Sequence, residues 1–421
     1  MSVDAFDDVP EVMRIAMRAY NASLRLGITK GIDRSRAVLA MARALNNAFD
    51  DILEANTLDL EASREMAVPE LILDWLKLTP ERLEAAVDIL QRLGELPDPL
   101  RRVRTADYQL DDSQTYSHLM PLGVIAFIYE AFPELGAIAA AMCIKTGNSI
   151  ILKGSTESSH SNAAIVDVLQ NAILDKGLPV GSIELITSEH GASLRDLITQ
   201  DKYLNLVIPY GRPSFVQQVV RTSTAPVLKS AMGNCYAYWS LNSSLEMLRG
   251  IIVDSHSSEP DPVNAIEKVL VHRQTLPSSL TTLFNSLKEK GFDIKGDEEL
   301  TAAFGQLQLA SDNEWGNPYL NKTVAFKLVD SLEIAINWIN QYSSGHADCI
   351  VTESYQESRQ FALGVNSAST YVNASPRFSR NTSRSDAVFL GMSNQKGHRR
   401  GIINLESLTT VKHIVQGNGR F

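Results

Sequence analysis

Residues 121–162, PLGVIAFIYEAFPELGAIAAAMCIKTGNSIILKGSTESSHSN, constrain the fold more than any other stretch of this chain. The apolar run Val124 to Tyr129 is short enough for a buried strand. After a turn at Phe132-Pro133, Leu135 to Lys145 is Ala-rich with helical spacing. Gly147-Asn148 supplies the stop, because glycine tolerates the left-handed conformation that ends a helix. Ser149 to Leu152 is a second apolar strand, and Lys153-Gly154-Ser155 leaves its carboxyl end. Strand, helix and strand within about 30 residues make a parallel βαβ unit, covered on both faces. Ligands of such sheets sit beyond the carboxyl ends of the strands, which makes Lys153 a candidate contact. A plain βαβ unit with a solvated lysine is the competing reading.

The flanking sequence extends the pattern. Residues 9–70 read as helices with apolar positions every three or four residues, and Asp33 is placed to cap the second of them. Thr79, with Pro80 at the first helical position and Glu81 behind it, opens another helix. Residues 98–120 alternate and lack helix signals, so they read as a β-hairpin excursion. Beyond Lys153, helices and strands alternate through Ser182–Thr187, Leu204–Pro209 and Val227-Leu228, the doubly wound pattern. A second α/β domain follows from Leu245 to 373. The tail starts polar, SPRFSRNTSRSD, and ends in LTTVKHIVQGNGRF, a late strand suited to pairing with another subunit.

The totals remove several classes of function. The 421 residues suffice for two domains with ample core, 44% of them apolar. A net charge of −10 argues against a nucleic-acid footprint or a polybasic membrane anchor. No apolar run approaches a bilayer span, and the acidic start MSVDAFDDVPEV is not a conventional signal peptide. Cys143, Cys235 and Cys349 lie far apart in apolar contexts, with no disulfide framework or zinc spacing, so no metal site is expected and a reducing, cytoplasmic setting fits.

Longer motifs carry a family resemblance across essentially the whole chain. LTPERLEAAVDIL, ELPDPLRRV, PLGVIAFIYEAFP, AMCIKTGNSIILKGSTESSHSN, MGNCYAY, NAIEKVLVH, VDSLEIAINWINQYSSGHADCIVTE, YVNAS and SNQKGHRRG occur in order and resemble gamma-glutamyl phosphate reductase. The resemblance implies an α/β aldehyde dehydrogenase-like fold: two doubly wound domains plus a β oligomerisation arm. On this basis 1–107 with 124–243 form the cofactor-binding domain and 244–373 the catalytic-type domain. Residues 108–123 and 374–421 form the oligomerisation hairpin and tail. It also implies a homo-oligomer, a dimer or an even-numbered multiple. The family reaction is reduction of gamma-glutamyl phosphate by NADPH to glutamate 5-semialdehyde, in proline biosynthesis.

That chemistry needs a thiolate to attack the acyl phosphate, donors for the oxyanion and a groove for the dinucleotide. The resemblance places the nucleophile immediately before Asn264-Ala265, where this chain has Val263, in a loop that also carries Asp261 and Pro262. Valine has no atom that forms a thioester. No cysteine occurs between 236 and 348, so a shifted alignment does not restore one. The superfamily glutamate that acts as base corresponds to Lys229, and the glutamate that holds the nicotinamide ribose corresponds to Pro318. The glycine-rich pyrophosphate turn reads Pro209-Tyr210-Gly211-Arg212, where Arg212 either obstructs a phosphate or pairs with it. The segment Ser383 to Phe389 also departs from the family pattern. Lys153, Ser155 and Glu157 keep the positions of adenosine-end contacts. Asn264, His346, Asn373, Gln395, Lys396 and His398 persist as ligand contacts or as packing groups. The expected function is a catalytically inactive paralogue kept for binding or assembly, alone or with a protein partner, with NADP(H) binding weak or absent. The alternative is an active NADPH-dependent reductase with a non-standard site.

Overall fold

A computed structural model describes residues 9–105, 114–187, 193–241, 243–257, 261–382, 387–397 and 399–417. The chain forms two compact units: one of residues 1–229, 380–390 and 403–421, the other of 230–379 and 391–402.

The first unit opens with helices α1 (Glu11–Leu26), α2 (Gly31–Asn47), α3 (Phe49–Glu65), α4 (Glu70–Leu76) and α5 (Pro80–Glu95). Thr79 caps α5 by accepting from the Arg82 N–H at 3.3 Å. Asp33 does not cap α2: that helix begins two residues earlier, and Asp33 lies in its first turn, where a carboxylate still complements the helix dipole. Strands β1 (Val103–Thr105), β2 (Gln114–Pro121) and β3 (Val124–Tyr129) lead to α6 (Glu134–Thr146), then β4 (Ser149–Lys153) and α7 (Ser159–Leu174). β5 (Ile183–Leu185), α8 (Leu194–Ile198), β6 (Leu206–Gly211) and α9 (Pro213–Thr222) complete the alternation. The strands run parallel in the order β5-β4-β3-β6. Val227 makes only an isolated bridge to Val207, so the strand expected at Val227-Leu228 is shorter than the sequence suggests.

Every residue of α6 is buried, which explains the Ala-rich sequence. Two of its polar members are bonded from α2 and α5: Lys145 Nζ donates to Ser35 Oγ at 2.8 Å and to the Gly94 carbonyl at 3.0 Å. The Arg82 Nε donates to Glu134 at 2.9 Å. Gly147 ends α6 at φ 77°, the left-handed conformation its position requires.

The second unit contains β7 (Ser230–Ala231), β8 (Cys235–Trp239), α10 (Leu245–Ser255), β9 (Ile266–His272), α11 (Pro277–Glu289), β10 (Asp293–Gly296) and α12 (Glu298–Ala303). β11 (Gln308–Leu309), β12 (Thr323–Val329), α13 (Leu332–Tyr342), β13 (Ala347–Val351), α14 (Tyr355–Gly364) and β14 (Ser369–Val372) follow. Its main sheet is parallel throughout, in the order β11-β10-β12-β9-β8-β13-β14. The sequence reading ended the first domain at 243, but β8, at 235–239, already pairs with β9 and β13 in the second sheet. Strand composition does not say which sheet a strand joins; the partners on either side decide it.

The tail adds β15 (Gly391–Ser393), β16 (Gly401–Ile403) and β17 (Thr409–Gln416). It is not one segment, since 380–390 and 403–421 pack with the first unit and 391–402 with the second. β17 lies antiparallel to β2, from Thr409 opposite Pro121 to Gln416 opposite Gln114. The late strand therefore pairs with β2 of its own chain. Asn148 secures the junction, its amide donating to the Leu408 carbonyl at 2.9 Å and its oxygen accepting from the Gly123 N–H at 2.8 Å. β1 pairs with the other edge of β2, as the hairpin reading requires; the tip, residues 106–113, lies outside the described residues. Among the described residues no helix is long and apolar enough to cross a membrane.

Candidate active site

In the first unit the carboxyl ends of β3, β4 and β6 converge. Lys153 ends the apolar run SIILK half-buried, and burial lowers its pKa. It lines a depression of about 20 Å³ with Gly154, Ser155, Asn162 and Thr187. That space suits one or two waters rather than a purine. Ser155 Oγ is 3.3 Å from Ser158 Oγ, and Glu157 accepts from the Thr156 hydroxyl at 3.0 Å, so both side chains are engaged locally.

The turn after β6 is closed by Glu130, the residue that follows β3. Its carboxylate accepts from the Arg212 N–H at 3.0 Å and from Arg212 Nε at 2.9 Å. Gly211 adopts φ 153°, and a Cβ built on it would meet the Glu130 side chain at 2.9 Å. Arg212 is thus paired with a carboxylate, where the sequence left it open to bind a phosphate. The present side chains do not fit a pyrophosphate at this turn: the backbone N–H and the guanidinium that would receive it are already taken by an anion. Lys229, the expected base position, is half-buried, one residue past Leu228, whose N–H donates to the Val207 carbonyl at 2.9 Å.

In the second unit the loop before β9 carries Val263 and Asn264. Val263 is buried, its N–H donating to the Asp261 carbonyl at 3.0 Å and its carbonyl accepting from the Gly233 N–H at 2.9 Å. Its side chain offers only methyl groups. Asn264 donates to the Pro376 carbonyl at 3.1 Å and approaches Met392 Sδ at 3.5 Å, while its Oδ1 is buried with no hydrogen-bond partner among the described residues. His346 Nδ1 lies 2.9 Å from Ser344 Oγ, and the ring also hydrogen-bonds the Ala231 backbone. Burial outweighs that bond and lowers its pKa to about 4, so the ring is neutral and orders the Ser-Gly turn. Asn373, at φ 52°, bridges the Thr352 N–H and carbonyl at 2.9 and 2.7 Å, a packing role. The Gln395 N–H donates to Ser393 Oγ at 3.3 Å; His398 lies outside the described residues, as do 383–386.

Pro318 sits in a turn that is pinned to β9. The N–H groups of Tyr319 and Leu320 donate to the Glu267 carboxylate at 2.6 and 2.8 Å. Lys268, beside it on β9, donates to the Asn317 carbonyl at 3.3 Å and lies 3.6 Å from the Tyr319 ring centroid. Burial raises the Glu267 carboxyl and lowers the Lys268 ammonium, each partly offset by the other. Two adjacent charges inside the apolar strand IEKVLVH were the available signal. Glu130 gave no comparable one, because its partner is 82 positions away.

All three cysteines are free and buried. Burial pushes the thiols of Cys143 and Cys235 far up, and that of Cys349 to about 12. Among the described residues no group of three His, Cys, Asp or Glu side chains could hold a metal ion.

Residues 4–233 match the aldehyde dehydrogenase family. A propionaldehyde dehydrogenase from a Clostridium phytofermentans microcompartment superposes with a TM-score of 0.71 at 12% identity, covering 97% of this chain and 98% of that one. The two units thus define the aldehyde dehydrogenase fold. The crystal structure of gamma-glutamyl phosphate reductase from Thermotoga maritima has a TM-score of 0.87 and 29% identity, covering 98% of this chain and 99% of that one. Gamma-glutamyl phosphate reductase 2 of Synechocystis sp. is 55% identical over 98% of this chain and 99% of its own length. The Gloeobacter violaceus gamma-glutamyl phosphate reductase is 39% identical over 96% of each. The chain belongs to the gamma-glutamyl phosphate reductase family.

Proposed function

We propose that this chain does not itself reduce gamma-glutamyl phosphate and serves as a catalytically inactive binding or assembly member of its family. The observation that carries this reading is that Cys143, Cys235 and Cys349 are all buried, with thiols raised well above neutrality, while position 263 is a buried valine. A thioester needs an accessible thiolate, and loss of a covalent nucleophile costs ~10⁴-fold or more. Lys229 and Pro318, at the positions the family resemblance gives to base and ribose clamp, add independent losses. The test is the reverse reaction with purified protein, glutamate 5-semialdehyde, phosphate and NADP. No NADPH above buffer is expected. A rate within a hundredfold of an ordinary reductase, abolished by removing one polar side chain, overturns the reading.

NADP(H) binds weakly or not at all in this proposal. The Glu130–Arg212 pair and the small depression beside Lys153 support it. A homo-oligomer, a dimer or an even-numbered multiple, is supported by the outer edge of β17. That strand ends the three-stranded sheet β1-β2-β17 with Val411 and Val415 exposed. Three free thiols suit a reducing, cytoplasmic setting.

A further inference from the structure

We propose that the second unit carries a binding site for a small oxyanion, inorganic phosphate or a short-chain carboxylate, gripped by Lys396 and Arg400. The site is a cavity of about 170 Å³ between the end of α13, the Ser343–Gly345 turn, Asn366-Ser367 and the segment bearing both cations. No Asp or Glu is among its lining residues. The Lys396 ammonium has no ion pair or hydrogen bond among the described residues. Arg400 donates to the Asn366 carbonyl, which fixes the guanidinium at the rim, and it has no carboxylate partner among the described residues. Two cations without a counter-charge facing one polar cavity are unusual in a chain of net charge −10.

The walls are held in place by their own hydrogen bonds. The Asn394 amide donates to the Ser344 carbonyl at 2.6 Å, and Ser344 Oγ accepts from the Asn234 N–H at 2.8 Å. The Asn366 N–H donates to Asn340 Oδ1 at 2.7 Å. Asp348 lies behind the cavity wall, bonded to two of its lining serines. It is fully buried and accepts from Ser343 Oγ at 2.7 Å, from Ser367 Oγ and from the Tyr236 N–H at 2.7 Å. Those donors turn inward toward Asp348, so an anion would take its hydrogen bonds from the guanidinium and the ammonium. The volume lies below the roughly 300 Å³ at which pockets for larger organic ligands begin, which selects a compact anion over a nucleotide.

Titration calorimetry of the intact protein with inorganic phosphate and, separately, succinate tests the proposal. Binding of either, weakened about ten- to a hundredfold in a Lys396→Gln/Arg400→Gln variant of unchanged thermal stability, is expected. Phosphate alone or succinate alone binding names the source. If the double variant unfolds, Lys396→Gln replaces it, since that side chain is exposed and unpaired. No binding of either anion at tens of millimolar, or equal affinity in wild type and variant, overturns the proposal. The outcome is separate from the inactivity reading: a turnover-competent protein with this site intact would remove that reading and leave this one.

Discussion

Glu130 and Arg212 meet at the open end of β3 and β6, where 41% of the Arg212 side chain remains exposed. His346 and Glu267, in the second unit, are each only 2% exposed, and their partners are backbone groups and neighbouring side chains. The first arrangement is a part-exposed ion pair that water screens from the arginine side, with the Glu130 side chain 12% exposed; the second is a buried polar network that water does not reach. The difference separates ligand binding from folding. Arg212 in the first unit's turn can be changed at modest cost to stability, whereas the second unit's polar groups are bound into the fold itself.

The largest expected effect is at Glu267. Glu267→Ala strands the Tyr319 and Leu320 N–H groups and leaves Lys268 buried without its counter-charge, costing about 3–5 kcal/mol in urea unfolding. A loss below about 1 kcal/mol would place Glu267 with the surface pairs and erase the contrast.

His346 sharpens the same point through pH. Its pKa is about 4 in the folded protein against 6.5 for an ordinary histidine, so the unfolded chain binds more protons between those values. The stabilising contribution is full above pH 6.5 and is lost as pH falls toward 4. Asp348, raised to about 6 by burial, acts in the opposite sense, so comparison with His346→Gln isolates the histidine. Relative to that variant the wild type should lose about 3 kcal/mol by pH 4. Parallel stability curves would mean that His346 is solvated.

For the first unit, Arg212→Gly should move stability by less than about 1 kcal/mol and tighten NADPH binding about tenfold, read by calorimetry. Unchanged affinity would show that the Glu130–Arg212 pair is not what limits dinucleotide access.

How much of this was legible in the sequence differs between the two regions. The βαβ unit at 121–162, the capped helix at Thr79 and the left-handed stop at Gly147 rest on local rules, and the structure has all three. The partner of Arg212, the pairing of β17 with β2 and the sheet that β8 joins are set by residues tens to hundreds of positions away. Periodicity carries no such information. Asp33 shows a smaller version of the limit, since a capping residue type two positions inside the helix becomes a first-turn carboxylate instead. At the candidate site, Val263 and the three cysteines could be identified from sequence, and their apolar contexts already read as core positions; the fold buries all three.

No gain of turnover is expected at the position that matters most to the chemistry. Val263→Cys nearly conserves volume in a buried site, so stability should change by less than about 1.5 kcal/mol. The variant should still form no NADPH in the reverse assay, because Lys229 and Pro318 remain. Recovered turnover would reduce the whole inactivity account to one missing sulfur.

Native-state thiol labelling tests the central claim most directly. Folded protein treated with iodoacetamide near neutral pH and read by intact mass should stay unmodified, while urea-unfolded protein takes three adducts, one for each cysteine. Rapid stoichiometric labelling of one cysteine in the folded chain would reveal an accessible thiolate and contradict the account.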